Sequence, residues 1–146
     1  MLVGLVTSGD YRKRGLDLLL EAYAGLPAAV RERSLLLVLG KQAGAGPFLA
    51  QARALGIADR LRLVKHTRAP ERYFHALDIC VHPARVEEFG QSVQEAMACG
   101  VPVVTSRRVG ATELLPADLR EALPETPDVE ALRALLAQWI VDPARR

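Results

Sequence analysis

The sequence predicts a three-layer α/β domain built on a mostly parallel sheet of about five to six strands. Three observations carry this expectation. Apolar runs of strand length alternate with helical patterns from one end of the chain to the other. Glycine or proline closes several of the segments. The first strand run is continuously apolar rather than alternating, as a strand covered on both faces by crossover helices must be.

Residues 2–7 read as that first strand, followed by a polar, basic turn over 8–14. Residues 15–26 form the first helix, where Leu16, Leu19, Leu20, Tyr23 and Leu26 recur at helical spacing. Residues 35–39 are a second strand ended by Gly40, 48–55 a second helix closed by Gly56, and 61–64 a third strand. Residues 70–77 make a short helix with proline in its first turn, and 78–82 a fourth strand stopped by Pro83. The segment 87–104 organises the rest: a loop, a helix, a tight Gly-Val-Pro turn and a buried strand over 101–105. A short helix is expected near Gly110, and 129–140 form a final amphipathic helix. Right-handed crossovers between such strands give a Rossmann-like domain, with a ligand expected at the carboxyl ends of the strands. No internal repeat, linker or low-complexity stretch divides the 146 residues, so they read as a single domain.

Composition narrows the function classes. Half of the residues are hydrophobic and 25% are charged, which is globular and far from disordered. A formal charge of +2 is too small to argue for nucleic acid. Cys80 and Cys99 read as small buried residues, not as a disulfide pair or metal ligands. No clustered His, Cys or carboxylate spacing suggests a protein-bound metal. No apolar run approaches the roughly 20 residues that span a bilayer. The opening Met1-Leu2-Val3-Gly4-Leu5-Val6 lacks the basic lead of a signal peptide. A soluble, cytoplasmic domain is the default expectation.

Four clusters fall at the strand ends. Arg12-Lys13-Arg14-Gly15 sits at the entrance of the first helix, where cations beside open N–H groups suit a phosphate; a solvated basic turn fits the position equally. Gly40-Lys41-Gln42-Ala43-Gly44-Ala45-Gly46-Pro47 matches neither the dinucleotide nor the P-loop fingerprint and reads as a flexible turn near the ligand. His82-Pro83-Ala84-Arg85 ends the fourth strand, and its histidine either faces a ligand or satisfies loop backbone. His66, beyond the third strand, has a weaker case, and His75 on a helix almost none. In the fourth cluster, N–H groups near Gly90, Gln91 and Ser92 would meet an anion at the helix start. Glu95 lies roughly 6–7 Å further along the axis, with its side chain leaning back toward that start. That position suits a carboxylate reaching ribose hydroxyls beside a bound phosphate, but spacing alone favours a plain surface residue, because Val93, Ala96 and Met97 define the apolar stripe and Glu95 is off it.

Glu87 through Glu95 resemble the Glu-x7-Glu motif of retaining glycosyltransferases of the GT-B fold, family four. Ala-Met-Ala-Cys-Gly-Val-Pro-Val-Val after it is close to that family's text. Lys13-Arg14-Gly15-Leu16-Asp17 is similar to its Lys-Gly-x-Asp helix start, with Arg14 in the lysine place. The segment 55–63 resembles the lead into its third strand, and Gly110-Ala111-Thr112-Glu113 its glycine-rich turn. Within the family, His82-Pro83-Ala84 and Gly25-Leu26-Pro27 look most like lipopolysaccharide-core glucosyltransferases.

The resemblance implies half of an enzyme: the donor-binding domain, with an acceptor-binding domain outside these residues. It implies that Glu87 contacts the transferred sugar and that N–H groups of Phe89, Gly90 and Gln91 hold sugar and pyrophosphate. Glu95 would take the ribose hydroxyls. Lys13 and Arg14 would neutralise the departing diphosphate in place of a metal, so no cofactor beyond the donor, a UDP-hexose, is required. Ser8, Arg12, Gly40 and His82 complete the expected donor-binding set. The acceptor would be a glycan or lipid-linked sugar reached through the other domain, which would also make any peripheral contact with the inner face of a membrane. Three departures stand out. Ser8 occupies a place where many relatives carry an arginine, Glu88 replaces a glycine after the first glutamate, and Thr112 precedes Glu113 where proline is usual. A nucleotide-sugar-binding or interaction module without turnover is the alternative that these departures keep open.

Overall fold

The computed structural model describes residues 1–41, 43–142 and 144. Five strands form one sheet: β1 (Leu2–Val6), β2 (Leu35–Gly40), β3 (Leu61–Lys65), β4 (Ile79–His82) and β5 (Val103–Thr105). Their order is β3-β2-β1-β4-β5 and every pairing is parallel. The chain therefore reverses its direction of travel across the sheet between β1 and β4, leaving a crevice outside their carboxyl ends.

Among the described residues seven α-helices accompany the strands: α1 (Leu16–Ala24), α2 (Ala28–Arg31), α3 (Gly46–Ala54), α4 (Glu71–Ala76), α5 (Gln91–Ala98), α6 (Ala117–Glu121) and α7 (Val129–Val141). Alternate strand residues feed two cores. Val3, Leu5, Leu36, Val38, Ile79 and Val81 pack with α1, α3 and α7 on one face. Val6, Leu37, Leu39 and Cys80 pack with Phe74 and Leu77 around α4, and with Ala96 of α5, on the other. Three layers result, as the apolar runs predict, with Cys80 fully buried and Cys99 half-buried, both as free thiols.

The differences from expectation are local. α2 and α6 were not anticipated from the sequence, because four or five residues cannot display a helical repeat. α3 begins at Gly46 with Pro47 in its first turn, two residues earlier than expected. β5 starts at Val103, after the Gly-Val-Pro turn, and the short helix expected near Gly110 is present as a 3-10 helix, Gly110–Leu114. α7 is capped by Asp128, whose carboxylate accepts from the Ala131 N–H at 2.8 Å. Among the described residues no helix is long and apolar enough to cross a membrane.

Candidate functional site at the carboxyl ends of β1 and β4

The basic turn following β1 and the loop following β4 meet at the crevice. Gly15 makes this possible. It sits at φ 73°, and a Cβ there would lie 2.0 Å from the Pro83 carbonyl oxygen. Gly90, at φ 68°, turns the second loop into α5 under a similar constraint, with Val109 Cγ1 only 2.6 Å from where a Cβ would be. No acceptor among the described residues takes the N–H groups of Gly90, Gln91 or Ser92, so the start of α5 points open donors into the crevice. Gln94 Nε2 reaches back to the Phe89 carbonyl at 3.0 Å and shapes the approach.

A cleft of about 300 Å³ is lined by Thr7, Ser8, Arg14, Glu87, Gln91 and Glu95, and also by Phe89, His66 and Pro70. Arg14 Nη1 lies 2.7 Å from Glu87 Oε2 and donates to the Val86 carbonyl at 2.8 Å. The Phe89 N–H points at Glu87 Oε1, 3.4 Å away. The backbone of Glu87 is itself pinned, since its N–H donates to the Arg108 carbonyl and its carbonyl accepts from Gly110. A neighbouring groove of about 810 Å³ shares Arg14, Glu87 and Phe89 and adds Arg12, Lys13 and Glu88. Lys13 and Arg12 thus stand beside the cleft rather than in it.

His82 is placed differently from a ligand contact. It is 1% exposed, beneath Glu87. Its Nδ1 lies 3.2 Å from Ser92 Oγ, and its Nε2 lies 3.6 Å from Glu87 Oε2, within reach of the charge but beyond hydrogen-bonding distance. No other partner for Nε2 occurs among the described residues. Burial pushes the imidazole pKa down to about 4, against the opposing pull of Glu87 and with a smaller push from Arg14. The ring is therefore neutral at ordinary pH.

Gly40 also stands apart. It ends β2 beneath the Tyr11 ring, where a Cβ would meet the Tyr11 hydroxyl at 2.6 Å, and it does not line the cleft. The turn after it contributes Lys41, Ala43 and Gly44 to a separate hollow with Ser8 and Arg12, while Gln42 lies outside the described residues. His66, expected to have a weaker case, follows β3 and lines the cleft, with its N–H on the Gly40 carbonyl at 2.8 Å. Asp17 and Arg85, which no local sequence pattern joins, form a bidentate ion pair behind the basic turn. No group of three or more potential metal-binding side chains occurs among the described residues.

A five-stranded parallel sheet with an open helix start at its switch point is the architecture of one half of a GT-B glycosyltransferase. The chain belongs to the Glycosyl transferases group 1 family, whose model matches residues 5–146. It is 32% identical over 106 residues to the lipopolysaccharide glucosyltransferase WaaG of Escherichia coli K12, covering 73% of this chain and 28% of that protein. It is 42% identical over 117 residues to D-inositol 3-phosphate glycosyltransferase 2 of Catenulispora acidiphila, covering 71% of this chain and 26% of that one. A crystal structure of WaaG superposes with a TM-score of 0.84 at 25% identity, over 99% of this chain and 39% of the other. The fold is shared too with HepE of Anabaena in complex with UDP-glucose, at a TM-score of 0.82 and 23% identity, over 99% of this chain and 40% of that one. The chain thus spans between about a quarter and two fifths of the length of these relatives.

Proposed function

We propose that residues 1–146 are the donor-binding half of a retaining hexosyltransferase that takes a nucleotide sugar, a UDP-hexose, without a divalent metal. The observation that carries this reading is the convergence of Arg14, Glu87, Glu95 and the open N–H groups of α5 on one cleft at the switch point of the sheet. Diphosphate oxygens would meet the α5 start and the cations of the basic turn. Glu87 would bind hydroxyls of the transferred sugar, and Glu95, about one turn along α5, the ribose. Negative charge grows on the leaving diphosphate as the glycosidic bond breaks. Fixed N–H dipoles and the cations Lys13 and Arg14 would stabilise that charge more in the transition state than in the bound donor.

The acceptor, a glycan or lipopolysaccharide saccharide, belongs in this proposal to a second domain that closes over the cleft. The proposed reaction takes place in the cytoplasm, at the inner face of a membrane where the acceptor is lipid-linked. Titration with UDP, GDP and ADP in the absence of metal tests the donor reading. UDP is expected to shift the amide signals of Lys13, Gly90 and Glu95, and unchanged spectra at millimolar nucleotide would overturn it. Residues 1–146 alone are expected to transfer no sugar, since the reacting groups meet only in a closed cleft; measurable transfer would refute the two-domain requirement.

A further inference from the structure

The cations of the proposed donor site sit on a surface turn; Arg14 is anchored there by Glu87 and the Val86 carbonyl, but Lys13 is exposed, and an exposed, flexible side chain does not by itself hold a charge in register. Behind this turn lies an unusual arrangement. Asp17, in the first turn of α1, is 8% exposed. Arg85 Nη1 and Nη2 donate to its two carboxylate oxygens, each at 2.8 Å. The same Nη1 donates to the Arg12 carbonyl at 2.7 Å, and the Arg85 backbone N–H donates to the Lys13 carbonyl at 2.9 Å. On the other side, the Lys13 N–H donates to Asp10 Oδ1 at 2.8 Å. Arg85 thus grips the turn at two consecutive carbonyls while Asp17 fixes the angle of its guanidinium.

We infer that the Asp17–Arg85 pair is a positioning device that holds Lys13 and Arg14 at a fixed distance from Glu87, and so sets the affinity of the site for a diphosphate. The inference rests on the donor-binding reading. Asp17 does not line the cleft, and Arg85 reaches only the neighbouring groove. A pair whose arginine side chain is 40% exposed contributes little to net stability, whereas a planar bidentate fork imposes geometry. Burial alone would raise the Asp17 carboxyl pKa; the Arg85 hydrogen bonds and charge reverse this and hold it below the ordinary value. The pair therefore stays ionised across the neutral range.

The test compares three probes on the 146-residue chain without metal: UDP, inorganic pyrophosphate and uridine. Asp17→Asn is expected to weaken UDP and pyrophosphate about tenfold, the effect of one misplaced charge-assisted contact, and to leave uridine unchanged. Arg85→Lys keeps a cation but loses the fork, and is expected to act in the same direction with the melting temperature retained. In a Lys13→Ala background, Asp17→Asn is expected to cost clearly less than in the unsubstituted chain. Equal losses for all three probes, or losses that simply add to that of Lys13→Ala, would overturn the positioning role and leave a structural pair. An unsubstituted chain that binds none of UDP, GDP and ADP would instead bring down the donor reading on which the role rests.

Discussion

Arg14 and Glu87, which come from different loops, meet at 2.7 Å, and the same arginine nitrogen reaches the Val86 carbonyl at 2.8 Å. Both side chains are largely buried, 23% and 14% exposed, so each sets the electrostatic surroundings of the other. Lys13, one residue earlier, is exposed and forms no ion pair among the described residues. The two cations of the basic turn are therefore not equivalent. Arg14 is paired with a carboxylate, and in the proposed function Lys13 is the cation left for a ligand.

This division separates two substitutions. Lys13→Ala is expected to weaken UDP binding by about tenfold while changing stability by less than about 0.5 kcal/mol. Arg14→Ala is expected to weaken binding as well and to lower stability by on the order of 1–2 kcal/mol, because Glu87 loses its partner. Urea denaturation beside nucleotide titration reads both quantities. Equal stabilities for the two variants would contradict the assignment.

The junction of the two loops makes a prediction about stability alone. Gly15→Ala places a Cβ in left-handed backbone and against the Pro83 carbonyl at 2.0 Å, so the loops must part. Gly56→Ala has the same kind of φ, 68°, with open space around the new carbon. The second change is expected to cost about 1 kcal/mol and the first at least about 3 kcal/mol. Comparable unfolding midpoints for the two would mean that the loop contact is not a constraint.

The fold is legible in the sequence wherever a segment is long enough to show its period. Leu16, Leu19, Leu20 and Tyr23 announce α1, and the apolar runs announce β1, β2 and β4. Lys65 is not legible as strand; it is carried into β3 by pairing with Gly40, a tertiary effect. Within the site, the spacing of Glu87 and Glu95 and the family text around them select residues that line one cleft. His82 resists such reading because a histidine at a strand end looks the same whether it faces a ligand or lies beneath a loop. Asp17 and Arg85 stand 68 positions apart, and no local pattern joins them.

Burial of His82 gives a signed pH dependence. Its folded pKa of about 4 lies below the ordinary 6.5, so between these values the unfolded chain binds the proton more readily. The associated stability is fully present above pH 6.5 and is lost as the pH falls through 4. His82→Gln removes this contribution, and its stability is expected to fall less between pH 7 and pH 4.5, by about 2–3 kcal/mol. Asp17, held below its ordinary value, loses stability in the same direction at more acidic pH; it is present in both proteins and largely cancels from the comparison. The charged neighbours Glu87 and Arg14 are also common to both. Parallel stability curves across this range would show that the buried imidazole does not titrate as its surroundings dictate.

Glu95 offers the cleanest separation of function from folding. It lies on the exposed face of α5, off the stripe formed by buried Val93 and Ala96, so Glu95→Gln should leave stability within about 0.5 kcal/mol. Its carboxylate can accept from two neighbouring hydroxyls at once, and the amide keeps only one acceptor oxygen. Replacing a charged acceptor by a neutral one weakens such contacts by about 1 kcal/mol, or roughly fivefold in affinity. The substitution is therefore expected to weaken UDP about fivefold and to leave the 2′,3′-dideoxy nucleotide unchanged, since that molecule has no hydroxyl to lose. A loss of equal size for both nucleotides would place Glu95 near the base instead of the ribose, and a gain for both would place it near the phosphates. No loss for either would make it the surface residue that helical spacing alone suggests.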